Sequence, residues 1–339
     1  MEVMEEQYKD TKIGLIPNDW DVVRLDEVLD DFQNGYAFSS KGYVKEGIPI
    51  VSMAYIGLKG QFNFNYEKAN YWNIDSKSEL SRYLLHKDDL LLAMTDVTPS
   101  KNLIGRMVLI DIDDEFLLNQ RVGLLKTNDK ISKQFLMYIG NSKVWRGYSI
   151  GYSTLGVQTN LGTKEIKKGR IPLPPLPEQQ KIAEILSTVD EQISTTQSII
   201  DKSKELKKGL MQKLFSEGIG HTEFKDTKIG RIPKDWDVVK LNDYVLKVGS
   251  GVTPKGGSSV YLKEGIPLVR SQNVLYGKLY LDDVACIGEP QYQKMKNSQL
   301  QEHDVLLNIS GASIGRSAVV PQHILPANVN QHVCIIRTK

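Results

Sequence analysis

A chain of 339 residues, 40% hydrophobic and 25% charged, is long enough for about two globular domains of ordinary size. Its formal net charge of +2 neither requires nor excludes a polyanionic partner, because a basic face can sit inside a balanced total. Cys286 and Cys334 make no disulfide framework, and no window approaches the roughly eighteen apolar residues of a membrane span. A cytoplasmic protein without membrane contact is therefore expected.

The N-terminal MEVMEEQYKD is acidic and lacks the apolar core of a signal peptide. KDTKIGLIPNDWDVVRL (Lys9–Leu25) follows, with Trp20 expected in the core. NGYAFSSKGY (Asn34–Tyr43) reads as a Gly/Ser/aromatic loop, and GIPIVSMAYI (Gly47–Ile56) as a turn leading into a strand. DLLLAM (Asp89–Met94), RMVLIDI (Arg106–Ile112) and RVGLLKT (Arg121–Thr127) are short apolar or alternating runs bounded by Gly, Asp and Asn, again strands. Asp88 and Asp89 then read as adjacent strand residues facing opposite ways, so they form no paired carboxylate. In ISKQFLMYIGNSKVWRGY (Ile131–Tyr148), the spacing of Phe135, Tyr138, Ile139 and Val144 predicts one helix. The Gly-rich tail that follows, through Asn160, reads as an exposed loop or a bent edge strand.

At Pro172 the chain changes character. IPLPPLPEQQ is a stiff, extended lead-in, because each proline fixes its own φ and restricts the residue before it. From Glu178 to Phe215 there is no proline and only one glycine, Gly209. A helix over that span would be about 57 Å long. Ile182, Leu186, Val189 and Ile193 recur at four- and three-residue spacing, and Leu206, Leu210 and Leu214 resume the stripe, as in a coiled-coil seam. Such a seam calls for a partner helix.

Then the opening words return. KDTKIGRIPKDWDVVKL (Lys225–Leu241) matches Lys9–Leu25 at 14 of 17 positions, 216 residues on. KEGIP recurs at Lys45 and Lys263, IGR at Ile104 and Ile314, and NQRV (Asn119–Val122) is answered by NQHV (Asn330–Val333). Landmarks in constant order with drifting offsets indicate two copies of one domain rather than a solenoid of short repeats. The fold class expected is α+β: two similar mixed α/β domains linked by a long coiled-coil-forming helix. The expected boundaries are 1–170, 171–218 and 219–339. The second copy reaches only the equivalent of Thr127, so by the measure of the first it is expected to be incomplete.

IPxDWxVVxL at both domain starts, IPLPPLPEQQKIAEIL (Ile171–Leu186) and LKKGLMQKLF (Leu206–Phe215) together resemble the specificity subunit of type I restriction-modification enzymes. The resemblance covers essentially the whole chain. It implies two target recognition domains, each reading half of a split sequence in double-stranded DNA and held apart by helices. It also implies docking of the modification (methyltransferase) subunit, in two copies, and of the restriction subunit. Catalysis would then belong to those partners, which would bind S-adenosylmethionine, ATP and Mg2+, while this chain holds no cofactor. On this reading the helix sets a DNA spacing of about 17 base pairs at most.

Base edges are read by polar side chains on loops that enter a groove. The candidates in the first copy are Ser39, Ser40 and Lys41; Thr95, Thr98, Lys101 and Asn102; and Ser153, Thr154, Gln158 and Asn160. In the second copy they are Lys255 in GSGVTPKGGSS, Arg270, Gln272 and Asn273 in RSQN, and Ser310 and Ser313 in SGASIGR. Trp72 and Trp145 read as core or platform packing. Trp236, like Trp20, reads as core, since a residue shared by both copies cannot discriminate their targets. The subunit interface is expected on Pro174, Pro175, Glu178, Gln179 and the stripe Ile182, Leu186, Val189, Ile193, Leu206, Leu210 and Leu214.

No metal-ligand spacing, P-loop or methyltransferase motif is present, so neither catalytic nor metal-binding residues are expected. Two alternatives remain at this level. One is a variant subunit acting as a homodimer through the 178–215 helix. The other is a coiled-coil structural protein that does not read DNA.

Overall fold

The computed structural model describes residues 7–73, 79–97, 100–153 and 159–339. Two compact units emerge, Met1–Ser203 and Lys204–Lys339.

The first unit opens on a hairpin, β1 (Tyr8–Thr11) and β2 (Gly14–Pro17), followed by β3 (Asp21–Arg24) and β4 (Leu29–Asn34). Next come β5 (Ile48–Val51), β6 (Tyr71–Trp72), β7 (Leu84–Leu85), β8 (Leu90–Ala93), β9 (Thr95–Asp96), β10 (Met107–Leu109), β11 (Phe116–Leu118) and β12 (Val122–Thr127). After two helices come β13 (Thr159–Asn160), a short helix (Thr163–Lys168) and β14 (Arg170–Leu173). β10-β8-β12-β4 form an antiparallel sheet; β6-β5-β11-β7 form a second, in which β5 and β11 run parallel. β8, with sequence LLLA, is buried at all four positions. An unbroken apolar run fits an inner strand covered on both faces, and the two-residue period sends alternate side chains to opposite cores. Leu90 and Leu92 meet Phe135, Leu136 and Trp145 from the helices, while Leu91 and Ala93 meet Val51, Phe116 and Leu118 of the second sheet.

Where one helix was expected over 131–148 there are two, Lys133–Asn141 and Lys143–Gly151. Ser142 sits between them in extended conformation, and its hydroxyl accepts from the Trp145 amide. A serine able to cap a new turn competes with continuation of the old one. The restart changes the phase: Trp145 becomes fully buried and donates to the Gly105 carbonyl at 2.7 Å, while Val144 is turned outward. Trp72 packs edge-on against Phe38 and Tyr43. Asp88 and Asp89 lie in a turn ahead of β8, not in a strand; Asp88 has φ +67°, and Asp89 accepts from the His86 amide. The short helix Thr163–Lys168 has no counterpart in the sequence reading.

The long helix runs Leu176–Glu217, 42 residues or about 63 Å. Its first turns belong to the first unit's core. Gln179 is fully buried, accepting from the Ser132 amide and donating to the carbonyls of Lys130 and Pro174. Ala183 is buried beside it, and Ile182 packs against the same cluster. Trp20 is half-buried rather than core: its indole N–H donates to Glu178 at 3.0 Å. Trp236 is also half-buried, edge-on to His221 in the second unit.

The second unit begins with hairpin β15 (Phe224–Thr227) and β16 (Gly230–Pro233). It continues with β17 (Val245–Ser250), β18 (Ile266–Val269), β19 (Ala285–Ile287), a short helix (Glu289–Lys294), β20 (Val305–Asn308), β21 (Ser317–Val319), β22 (Asn328–Val329) and β23 (Val333–Thr338). β17-β23-β20-β21 form one sheet and β19-β18-β22 another, with β18 and β22 parallel. The four-stranded sheet repeats that of the first unit: β17, β20 and β23 stand where β4, β8 and β12 do. Val269, Leu306, Val329, Val333 and Ile335 fill its buried cluster.

Candidate nucleic-acid interface

In the first unit Gly123 of β12 stands opposite both Asn34 of β4 and Leu92 of β8. The C-terminal ends of β4 and β8 and the N-terminal end of β12 therefore share one end of the sheet. Two of the three loops expected to carry DNA contacts, Asn34–Tyr43 and Thr95–Asn102, start from that end. β13 pairs with β9, bringing Thr159 to Asp96 and Asn160 to Thr95, so the end of the Gly-rich tail meets the start of the Thr95–Asn102 loop. Lys101 Nζ donates to Ser153 Oγ at 3.1 Å, joining the same two loops again. Asn34 meets Thr163 Oγ1 at 3.3 Å.

Ser39, Ser40 and Lys41 are exposed, the last two opening a 3-10 turn beside the aromatic cluster of Phe38, Trp72 and Tyr43. Asn102 is exposed, and Lys101 is half-buried with φ +49°. Asn160 is exposed. Thr95 and Ser153 are buried, so they shape the loops rather than face a ligand. Thr98, Thr154 and Gln158 lie outside the described residues.

Sequence reasoning missed the buttress beneath these loops. Asp96, 2% exposed, accepts from the Leu103 amide at 2.6 Å. Arg146, also buried, donates from Nη2 to the Lys101 carbonyl at 2.6 Å. Its burial, with Arg106 adding and Asp96 opposing, pushes the guanidinium down to about 10. Arg106 donates to the Asn102 carbonyl at 2.9 Å, and burial lowers its pKa as well. An arginine on a helix otherwise chosen for the core was the one available signal.

The second unit gathers the matching loops. Ser250 faces Cys334 and Asn308 faces Val333, so the ends of β17 and β20 and the start of β23 coincide. Asn308 donates to the Ser271 carbonyl at 2.8 Å and to Ser313 Oγ at 3.1 Å. Ser310 Oγ and His332 Nδ1 lie 2.7 Å apart. Lys255 is exposed, and Ser310 and Ser313 are half-buried. RSQN does not present four free side chains. Asn273 is 1% exposed and its amide donates to the carbonyls of Tyr280 and Asp283, which leaves it nothing to offer a base. Gln272 donates to the Asp283 carboxylate at 3.1 Å, and Arg270 donates to the Asp283 carbonyl and lies over the Tyr261 ring.

One turn is built identically in both units. The Asn119 side chain accepts from the Arg121 amide, and the Val122 amide donates to the Asn119 carbonyl; Asn330, His332 and Val333 repeat both bonds. The Arg121 carbonyl accepts from Met94 N at 3.0 Å, as the His332 carbonyl does from Ile309 N at 3.1 Å. Gly35 and Gly251 pack against this turn so closely that a Cβ would lie 2.2 and 2.1 Å from backbone atoms of Asn119 and Val329.

On the long helix, the expected interface divides. Pro174 and Gln179 are buried in the first unit, Ile182 packs on its core and Glu178 holds Trp20, so these four fasten the helix to its own unit. Pro175, Leu186, Val189, Ile193, Leu206, Leu210 and Leu214 are exposed. Among the described residues there is no cluster of potential metal ligands and no helix long and apolar enough to cross a membrane.

The type I restriction modification DNA specificity domain matches residues 17–205. The chain is 30% identical over 322 residues to a Methanocaldococcus jannaschii protein named for the MjaX type I restriction enzyme specificity subunit, covering 94% of this chain and 72% of that one. It is 26% identical over 339 residues to the EcoBI specificity subunit of Escherichia coli, covering 93% and 64%. Among solved structures, the S subunit of a type I restriction-modification system from M. genitalium aligns with a TM-score of 0.50 at 16% identity, over 94% of this chain and 72% of that one. A chain from a structural study of type I R-M complex assembly aligns at 0.51 and 18%, over 96% and 76%. At these identities the structural matches speak for the fold alone.

Proposed function

The chain belongs to the type I restriction-modification DNA specificity family, and from that premise we propose how it works: each unit reads DNA with the loop-bearing end of its four-stranded sheet. DNA sequence recognition within a restriction-modification complex is its function. The observation that carries the site assignment is the duplication. Both units bring the loops after β4 or β17, after β8 or β20, and before β12 or β23 to one end, on a shared scaffold with different loop sequences. Shared strands hold the position, and divergent loops supply different base contacts.

The chain is non-catalytic on this proposal. Methyl transfer and cleavage belong to the modification and restriction subunits, which carry S-adenosylmethionine, ATP and Mg2+. The exposed stripe from Leu186 to Leu214 is the docking surface for the modification subunit, in two copies. In its absence the stripe pairs two chains through their 178–215 helices. The setting is cytoplasmic, where the DNA and partners are.

Co-expression with the modification subunit, followed by sequencing of methylated sites, tests the reading. A bipartite motif is expected, and exchanging Lys101–Asn102 for other residues should alter one half of it only. A motif unchanged by that exchange would overturn the assignment of this loop. Leu186→Asp with Ile193→Asp should abolish co-purification while leaving the units folded; retained co-purification would remove the helix from the interface.

A further inference from the structure

We propose that the residue following Asn-Gln in the duplicated turn is a specificity-determining DNA contact, with Arg121 of the first unit taking the O6/N7 edge of a guanine in the major groove. His332 holds the same position in the second unit and reads a different base. The inference rests on the DNA-reading function above and assigns one position within it.

Three observations meet here. The turn is the same object twice: equivalent backbone bonds fix it, and Gly35 and Gly251 pack on it at distances no side chain would allow. Within the motif NQ-x-V, Asn, Gln and Val are shared and x differs. That variable side chain is exposed in both units, at the end of the sheet where the loops gather. A rigid turn whose other exposed side chain, Gln120 or Gln331, is shared and which varies at one outward position is suited to reading, since the frame sets the position and the one replaceable group sets the chemistry.

The chemistry differs as reading requires. Arg121 has no side-chain hydrogen bond or ion pair among the described residues, so its five-donor fork is unspent, and that fork matches two adjacent acceptors on guanine. His332 already shares Nδ1 with Ser310 Oγ, leaving Nε2 for a single contact. A phosphate contact would favour the same cationic group in both units, because the backbone is the same under each half-site.

The test is selection from a randomised duplex DNA pool by the full chain assembled with its modification subunit. The unaltered complex should select a motif containing a guanine that Arg121→Ala flattens at that one position, with discrimination falling roughly 10- to 100-fold and the remaining positions kept. Arg121→Lys keeps the charge without the fork and should also weaken the guanine preference. His332→Arg should add a guanine preference in the other half-site. An unchanged motif in Arg121→Ala overturns the proposal. So does a uniform loss of affinity with the motif intact and the salt dependence reduced by about one phosphate contact. An unaltered complex that selects no motif overturns the DNA-reading function itself, and the proposal with it.

Discussion

The segment DWDVV occurs twice with the same letters and two different fates. In the first unit Asp21–Arg24 is a strand, paired antiparallel with Arg170–Leu173, and Leu25 just after it is fully buried among Ile166, Ile171 and Trp145. In the second unit Asp237–Lys240 is assigned to no strand, and Val238, Val239 and Leu241 are 48%, 53% and 56% exposed. Two valines in a row favour a strand in both places, yet among the described residues only the first copy pairs with such a strand, β14. Strand propensity is therefore a statement about available neighbours more than about the local chain.

The largest consequence of that contrast should appear at the leucine after each segment. Leu25→Ala removes a fully buried side chain and should destabilise the first unit by about 2–5 kcal/mol. Leu241→Ala removes an exposed one and should stay within about 0.5 kcal/mol. Hydrogen exchange read on β4 and β12 for one unit, and on β17 and β23 for the other, measures each separately. A large cost at Leu241 would mean that this segment is packed in solution, and the contrast would collapse.

A second divergence lies behind β8 and β20. Asp304 is 1% exposed, accepts from Gln301 N, and takes two bonds of 2.7 Å from Arg337, whose pKa is raised by that hydrogen bonding. At the matching positions Asp89 accepts from His86 N, and Lys126 is exposed. Arg337→Met strands a buried carboxylate and should cost the second unit about 3–5 kcal/mol, whereas Lys126→Met should cost the first unit less than about 0.5 kcal/mol. Denaturant titration followed by exchange on β23 and β12 would show it. Equal effects would mean that the two turns are closed by the same interaction after all.

Much of this architecture was legible because it is periodic or repeated. The apolar runs at Leu90–Ala93 and Val122–Thr127, the recurrence of KEGIP and NQxV, and the proline-free span after Pro177 each point to their element directly. What escaped depends on contacts distant in sequence or on single side chains. The helix break at Ser142 turns on one hydroxyl, and the β3–β14 pairing joins residues nearly a domain apart. Gln179 and Asn273 look like surface amides, yet both are buried, spending their hydrogen bonds on backbone groups. Of the surface proposed to face DNA, the loops were visible as polar interruptions between strands. The place of the Asn119 turn beside those loops and the support from Arg146 were not, because they come together only when the sheet aligns its strand ends.

The smallest effect concerns the two tryptophans that the repeat shares. Trp20 and Trp236 follow the same hairpin, and both are half-buried. Trp20 donates its indole N–H to Glu178 in the first turns of the long helix, a bond to a carboxylate in a partly solvated setting. Trp236 instead meets His221 through ring contact at 5.9 Å, and its indole N–H has no hydrogen-bond partner among the described residues. Phenylalanine at either position keeps most of the aromatic contact and removes the N–H. Trp20→Phe should therefore lose about 1 kcal/mol from the first unit, the usual net value of a hydrogen bond that water partly replaces. Trp236→Phe should change the second unit by a few tenths of a kcal/mol at most. Glu178→Gln separates charge from geometry: if the carboxylate's charge matters, it should cost part of what Trp20→Phe costs, and the two changes together should cost less than their sum. Strict additivity of the pair would show that the bond contributes nothing to stability, leaving the shared tryptophan to act through packing alone in both units.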